Sequence, residues 1–493
     1  MNISIIRYLL GKVLLIEGAL LLFPLAMGIF YREELCAPYA LCSIGLLLLG
    51  FLTSVKKPSS TVFYLKEGCL TTALSWILLS VGGALPLWLT REIPHYHDAL
   101  FEVVSGFTTT GASILPEVES LCHASLFWRS FTHWIGGMGV LVFLLAIVPL
   151  SGGSNINLMR AESPGPSVGK LVPKIRSTAT ILYGIYFGLT LIQFILLVAF
   201  GMPVFDSLCT ALGTAGTGGF GIKNDSIAGY SVPVQWIVTI FMILFGVNFN
   251  AYYFMIFHQA KKALHMEEVR WYLLIILASI AAIAVNIRPL SSSWFHSITD
   301  AAFQVGSIIT TTGFSTVNFD LWPTFSKAIL VLLMFVGACA GSTGGGIKVS
   351  RFVLLFKTIN KELLSFIHPK SIKKIKMDEK PVDHEVMRST NVYVITFILI
   401  FVISALLVSL EGKDLVTTFT SVAATFNNIG PGLALVGPVE NFGHMSVLSK
   451  FVLMFDMLAG RLELFPMLIL LTPTIWKQAA FSLRQRLFEE KGR

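Results

Sequence analysis

Three stretches of the chain carry the same order of oxygen-bearing residues at the same spacing. Asp98-Ala-Leu-Phe leads to Thr108-Thr109-Thr110-Gly111, Asp206-Ser-Leu-Cys to Thr217-Gly218-Gly219-Phe220, and Asp300-Ala-Ala-Phe to Thr310-Thr311-Thr312-Gly313-Phe314; each aspartate precedes its glycine by 13 residues. A fourth, more divergent copy runs from Asp414 through Thr417, Thr418 and Thr420 to Asn427-Asn428-Ile429-Gly430-Pro431-Gly432. Its spacing of 16 requires an insertion or a different start to its short helix. These stretches supply threonines and glycines without a paired histidine, so they are suited to coordination rather than to nucleophilic chemistry. Their backbone carbonyls can replace the hydration shell of a cation. Glycine is needed where a Cβ would obstruct the backbone or where chains approach one axis. The expected selectivity filter is therefore Thr109, Thr110 and Gly111, Thr217, Gly218 and Gly219, Thr311, Thr312 and Gly313, and Asn428, Ile429 and Gly430. The second copy departs from the first and third in having Gly218 in place of Thr110 and Thr312.

Elements that could position such loops are written in the hydropathy. Of the 493 residues, 54% are hydrophobic and 13% charged, and the mean hydropathy is +0.75. That composition excludes an ordinary water-soluble protein. Apolar runs such as 181–200, 236–257 and 392–410 are about long enough to cross a hydrocarbon core. In lipid the spanning elements must be helices, which satisfy their own backbone. Each repeated copy lies between two apolar segments, at about 69–90 and 126–150, 178–201 and 231–257, 271–288 and 324–356, and 391–410 and 446–476. Two more, at about 8–30 and 38–54, precede the first unit.

The expected fold is thus an all-α integral membrane protein. Four helix–pore loop–helix repeats stand in pseudo-fourfold arrangement around one central pore, with two extra N-terminal helices, ten crossings in all. The boundaries are 1–68 for the extension, 69–176, 177–270 and 271–390 for repeats 1 to 3, and 391–493 for repeat 4 with its tail. Each copy reads as a short helix with its aspartate as N-cap on the outer side; a cation-attracting role for these aspartates at the pore mouth is the alternative. The negative dipole ends of four such helices would face a central cavity.

Charge and motif signals narrow the function. The net charge of +8 is concentrated at 160–176, 261–270, 357–380 and 477–493. The positive-inside rule makes that side, with both termini, cytoplasmic, so the charge indicates a membrane with its lipid and not nucleic acid. Arg7 and Lys12 flank and enter the first apolar stretch without a clear cleavage site after it, which reads as a retained helix. Six scattered cysteines give neither a disulfide framework nor a zinc spacing, and His95, His97, His123 and His133 are assigned no metal. Gly216 to Gly221 satisfies a dinucleotide-binding pattern and 341–348 approximates a phosphate-binding loop, but neither has the surrounding strand. No bound cofactor and no enzymatic activity is expected. Asn248 and Asn250 suit interhelical hydrogen bonding or a cavity wall. The run Gly341, Ser342, Thr343, Gly344, Gly345, Gly346 must interrupt its membrane helix and be buried or line a path. Arg461 lies inside the last apolar segment, where an ionisable residue is a functional candidate.

These features resemble the Trk/Ktr/HKT superfamily of K⁺ transporters. The stretches Trp134-Ile-Gly-Gly-Met-Gly139, Arg160-Ala-Glu-Ser-Pro-Gly-Pro166 and Asn427-Asn428-Ile429-Gly430-Pro431, with the two extra helices, are similar to its TrkH-type subunits over about residues 1–480. The resemblance implies K⁺ as the transported ion, since glycine at all four filter positions accompanies K⁺ selectivity and serine at the first accompanies Na⁺-conducting forms. It implies a gate formed by 341–346 with Lys348 and Arg461 below the filter. A passive kink is the alternative for the loop, and an ion pair with Asp456 or Glu463 for the arginine. It further implies a homodimer in the bacterial inner membrane, regulated by a cytoplasmic TrkA-like nucleotide-binding subunit. Regulated uptake of K⁺ down its gradient is the expected function; K⁺ symport with H⁺ or Na⁺ and, remotely, an intramembrane enzyme are the alternatives.

Overall fold

A computed structural model describes residues 1–58, 64–139, 175–369 and 374–481. The expected motif at 160–166, the end of the apolar run 126–150 and the end of the basic tail lie outside the described residues.

Without a hydrophobic drive between helices, membrane helices associate through small residues that permit close approach. The N-terminal extension does this: Ile3–Leu20 continues as Leu22–Phe30 and packs along Cys36–Ser54. Ser43 donates to the Gly18 carbonyl at 2.6 Å, a distance that a larger residue at 18 would not allow. The four units follow in chain order. Unit 1 has Leu65–Leu89, Tyr96–Phe107 and His123–Met138; unit 2 has Ile175–Ala199, Val204–Gly216, Val232–Phe245 and Phe249–Ile256. Unit 3 has Glu267–Ile287, Trp294–Ile309, Thr324–Val336 and Val349–Ile367; unit 4 has His384–Ser409, Leu415–Phe426, Val447–Arg461 and Phe465–Leu470.

Six helices among the described residues are long and apolar enough to cross a bilayer alone, and a seventh span exists if the pair Val232–Phe245 and Phe249–Ile256, bent by 92°, counts as one. Other expected crossings are built from pieces. Thr324–Val336 and Val349–Ile367 flank a non-helical stretch, and Val447–Arg461 is parted from Phe465–Leu470 by Glu463 and Leu464 at φ 58° and 67°. Exposure is inverted relative to a water-soluble protein: His384–Ser409 exposes Ile395, Leu399 and Leu406, whereas Thr109, Thr110, Thr311 and Thr312 are fully buried. The molecule is a multi-pass helical membrane protein. Its only strands among the described residues, Lys376–Met377 and Lys380–Pro381, form a short antiparallel hairpin between units 3 and 4.

The short helices correct one expectation about the aspartates. Only Asp414 is an N-cap, its carboxylate accepting from the Thr417 N–H at 2.9 Å. Asp98 and Asp206 sit in the first turn instead, with His95 and Pro203 at the cap, and Asp300 lies deeper in a helix capped by Ser293. Asp98 pairs with Lys450 at 2.6 Å and Asp206 accepts from the Tyr230 hydroxyl at 2.7 Å. The caps of helices 1, 2 and 4 each precede the glycine by sixteen residues, 95 to 111, 203 to 219 and 414 to 430. Asp414 therefore matches the cap position of the first two copies, and Thr417 matches the aspartates of all three. No insertion is present in the fourth copy; an aspartate occurs one turn earlier.

Candidate permeation filter and the loop beneath it

All four short helices end in the same way. Thr109, Thr217, Thr311 and Asn428 take left-handed conformations, with φ between 54° and 59°. The next N–H reaches back five residues: Thr110 to Ser105 O at 2.9 Å, Gly218 to Gly213 O at 2.9 Å, Thr312 to Ser307 O at 2.8 Å and Ile429 to Ala424 O at 2.8 Å. This is the hydrogen-bond pattern of a Schellman stop, which satisfies helix-end carbonyls while turning the chain sharply. Glycine or asparagine normally takes the left-handed site; three β-branched threonines there carry strain of the order of 1–3 kcal/mol each, characteristic of functional backbone.

One residue further, the four glycines also have positive φ, 76° at Gly111, 76° at Gly219, 88° at Gly313 and 99° at Gly430. Their neighbours close a ring. A Cβ on Gly111 would collide with the Gly218 carbonyl oxygen, one on Gly219 with that of Thr312, and one on Gly313 with that of Ile429; one on Gly430 would lie 2.8 Å from that of Thr110. The order 1 to 2 to 3 to 4 and back to 1 puts the four carbonyls preceding the glycines at equivalent places of a fourfold ring. Gly218 thus stands in register with Thr110, Thr312 and Ile429.

His133 accounts for the missing side chain at Gly218. A Cβ there would run into the imidazole ring, whose Nδ1 lies 2.8 Å from Gly106 O while Nε2 accepts from the Phe220 N–H at 3.2 Å. A carbonyl can only accept, so the proton is on Nδ1 and the ring is neutral. In unit 2 this imidazole fills the space that threonine occupies in units 1 and 3. Thr110 is braced by Thr108 at 2.8 Å and by the Asn428 amide at 2.9 Å, and Thr312 by Thr310 at 2.7 Å.

Beyond the glycine ring lies a cavity of 170 Å³ lined by Gly111, Gly219, Gly313 and Gly430, with Arg129 and Glu440 in its wall. Arg129 and Glu102 form a buried ion pair at 2.8 Å. Glu102 also accepts from the Ile114 N–H at 3.0 Å and the Ser113 hydroxyl at 2.9 Å, while Arg129 donates to Gly221 O at 3.2 Å. The pair ties the stretch after Gly111 to the stretch after Gly219. A buried pair whose other hydrogen-bonding sites are occupied is far costlier to break than to keep.

On the opposite face of the ring is the interrupted segment of unit 3. The Gly345 N–H donates to Thr311 Oγ1 at 2.6 Å and the Gly346 N–H to Asn427 O at 3.1 Å. Gly344, Gly345 and Gly346 therefore lie against the helix ends of units 3 and 4, while the first half of the run meets unit 2, where Gly341 O accepts from the Phe249 N–H at 3.0 Å and the Thr343 hydroxyl donates to Phe245 O at 3.2 Å. Gly344 and Gly345 leave no room for a Cβ beside the carbonyls of Thr310 and Asn427. Buried Lys348 turns back to donate to Gly344 O. Arg461 spans the space below: one nitrogen donates to Thr343 O at 2.7 Å and the other to Gly136 O at 2.5 Å and Gly137 O at 2.8 Å. Glu463 is engaged by Arg351, and Asp456 accepts from Ser404 at 2.6 Å. Asn248 caps the helix Phe249–Ile256 through the Asn250 N–H at 2.9 Å.

Comparisons with known proteins identify the family and its fold. The TrkH family, described as cation transport protein, matches over residues 42–478. The Trk system potassium uptake protein TrkH of Salmonella typhimurium is 34% identical over 492 residues, covering 97% of this chain and 100% of its own. TrkG of Escherichia coli strain K12, also a Trk system potassium uptake protein, is 32% identical over 488 residues, covering 97% of this chain and 99% of its own. The crystal structure of the potassium transporter TrkH from Vibrio parahaemolyticus superimposes with a TM-score of 0.87 at 30% identity, covering 97% of this chain and all of that one. The chain belongs to the TrkH family. In this TrkH-family chain, the residues that sequence reasoning passed over are Glu102, Arg129, the place of His133 beside Gly218, and Glu268, a buried acid in the first turn of Glu267–Ile287. The signal that could have found Glu102 and Arg129 is a charge within or beside an apolar helix, where desolvation demands a partner.

Proposed function

We propose that this chain carries K⁺ across the bacterial inner membrane along a K⁺-selective, channel-like path. The observation that carries the reading is the ring of four glycines, each abutting the carbonyl before the next unit's glycine. Such a ring offers a dehydrated cation backbone oxygens from four sides and no titratable group that must change its protonation. The likeness to Trk system potassium uptake proteins supports K⁺ as the ion. The filter comprises the twelve residues at 109–111, 217–219, 311–313 and 428–430.

The loop 341–346, with Lys348 and Arg461, acts as the gate: it lies against the inner ends of the filter and is held there by polar contacts that can be exchanged. A TrkA-like nucleotide-binding subunit on the cytoplasmic side moves it, and the transporter works as a homodimer with both termini in the cytoplasm.

Measurement of K⁺ and Na⁺ flux for the full chain and for Gly111→Ser in liposomes tests the filter. The substitution is expected to lower the K⁺ to Na⁺ ratio at least about tenfold, equivalent to about 1.4 kcal/mol of discrimination; unchanged fluxes reject the assignment. Reversal potentials under imposed K⁺, Na⁺ and pH gradients test the passive mechanism, which requires them to follow K⁺ alone.

A further inference from the structure

One carboxylate brackets the whole interrupted segment. Glu268, in the first turn of Glu267–Ile287, is only 4% exposed. Its Oε1 accepts from the Ala340 N–H at 2.6 Å and from the Ser350 N–H at 3.1 Å, while Oε2 accepts from the Asn248 amide at 3.4 Å. Ala340 immediately precedes the glycine loop and Ser350 is the second residue of the helix that follows it. A single oxygen thus pins the two ends of the loop together.

The third contact reaches the break in unit 2, which is stapled to the same segment by the Phe249 N–H to Gly341 O at 3.0 Å and the Cys339 N–H to Gly246 O at 3.0 Å. The carboxylate is itself fixed from the far side. Its neighbour Glu267 pairs with Lys357 at 2.6 Å, and the Glu267 N–H donates to Asp378 of the hairpin at 2.7 Å.

We infer that Glu268 is a positioning residue that clasps both ends of the 341–346 loop and holds it in the closed arrangement. The inference rests on the reading of that loop as the gate. A loop that swings away must separate residues 340 and 350 or carry both off the carboxylate, and a buried carboxylate that loses its donors carries a large desolvation cost. The clasp therefore favours the closed arrangement without touching the ion path. Arg461 acts on the middle of the loop, at Thr343, and Glu268 on its ends.

The test is K⁺ flux through the full chain in liposomes without a regulatory partner, for wild type, Glu268→Ala, Glu268→Gln and a variant lacking residues 342–345. Glu268→Ala is expected to raise flux roughly tenfold with the K⁺ to Na⁺ ratio unchanged. Glu268→Gln, which keeps an oxygen to accept both N–H groups, stays within about threefold of wild type.

A second readout is independent of flux: the rate at which a small thiol reagent modifies Cys339, measured by mass spectrometry, with Cys209 as reference. Both cysteines are buried, Cys339 one residue before Ala340 and Cys209 in the second short helix. Glu268→Ala should speed modification of Cys339 and leave Cys209 protected, whereas a misfolded protein exposes both and overturns the positioning role. If the loop-shortened variant conducts freely while Glu268→Ala matches wild type in flux and Cys339 protection, the clasp is wrong and the gate stands. If shortening the loop leaves flux unchanged, the gate itself is wrong and the clasp falls with it.

Discussion

The two faces of the glycine ring are built by different rules. The ring repeats one solution four times: a Schellman stop, a left-handed residue, a carbonyl, then a glycine against the neighbour's carbonyl. Beneath it the units differ. Among the described residues only unit 3 has the glycine-rich loop, and the charged side chains that hold it are one arginine from unit 4, one lysine of its own and one glutamate at the start of its own unit. Equivalent backbone contacts that leave no room for a Cβ make a rigid site, because none can move without the others. Single polar contacts between a side chain and the backbone can be broken one at a time. On the function proposed above, discrimination between ions uses the first kind of structure and control of passage the second.

The comparison can be broken most directly at the ring. Gly219→Ala places a methyl group on the Thr312 carbonyl and imposes a positive φ on alanine. K⁺ flux should fall by roughly 100-fold or more, as expected for a backbone clash costing a few kcal/mol; normal flux from correctly inserted protein would show that the ring is not on the ion path. Next in size is Arg461→Ala, which removes the link between Thr343 and Gly136. Partner-independent K⁺ flux should rise several-fold, about 1 kcal/mol in the closed-to-open balance, with the ion ratio unaltered. A changed ratio would mean that the two faces are not separable.

A sharper probe concerns the unequal second unit. Gly218→Thr should impair flux because the new side chain meets His133, and the double variant with His133→Ala should recover part of the loss, a coupling of about 1–2 kcal/mol between touching residues. Additive effects would remove His133 from its place behind the filter. The smallest effect on flux is expected at the outer end: Asp414→Ala deletes a cap and should lower thermal stability by roughly 1 kcal/mol while leaving flux and selectivity intact.

How far the site could be read from the chain differs by residue. The correspondence of Gly111, Gly219 and Gly313 was legible because an equal spacing from a repeated aspartate is a local property. The fourth copy was harder to align: its aspartate occupies the cap, whereas the aspartates it was matched to lie in the first turn or deeper. Counting back from the glycine aligns the cap of Leu415–Phe426 with two of the other three. The loop at 341–346 was legible as a break, since such a glycine-rich run does not continue a helix in lipid. Glu268 was not, because it reads as an ordinary first-turn acid until its donors, 72 and 82 residues away, are brought to it.

What the amino-acid sequence determined by itself is the apolar character, the fourfold recurrence and the positions of the breaks, all of which follow from hydropathy and from backbone freedom that only glycine supplies. What the tertiary structure alone decided is the register of the ring, the exchange of threonine for an imidazole at Gly218, and the partners of Glu102, Arg461 and Glu268. Those depend on groups far apart in the chain, and in a medium without competing water each buried donor or acceptor is committed to whichever neighbour the packing delivers.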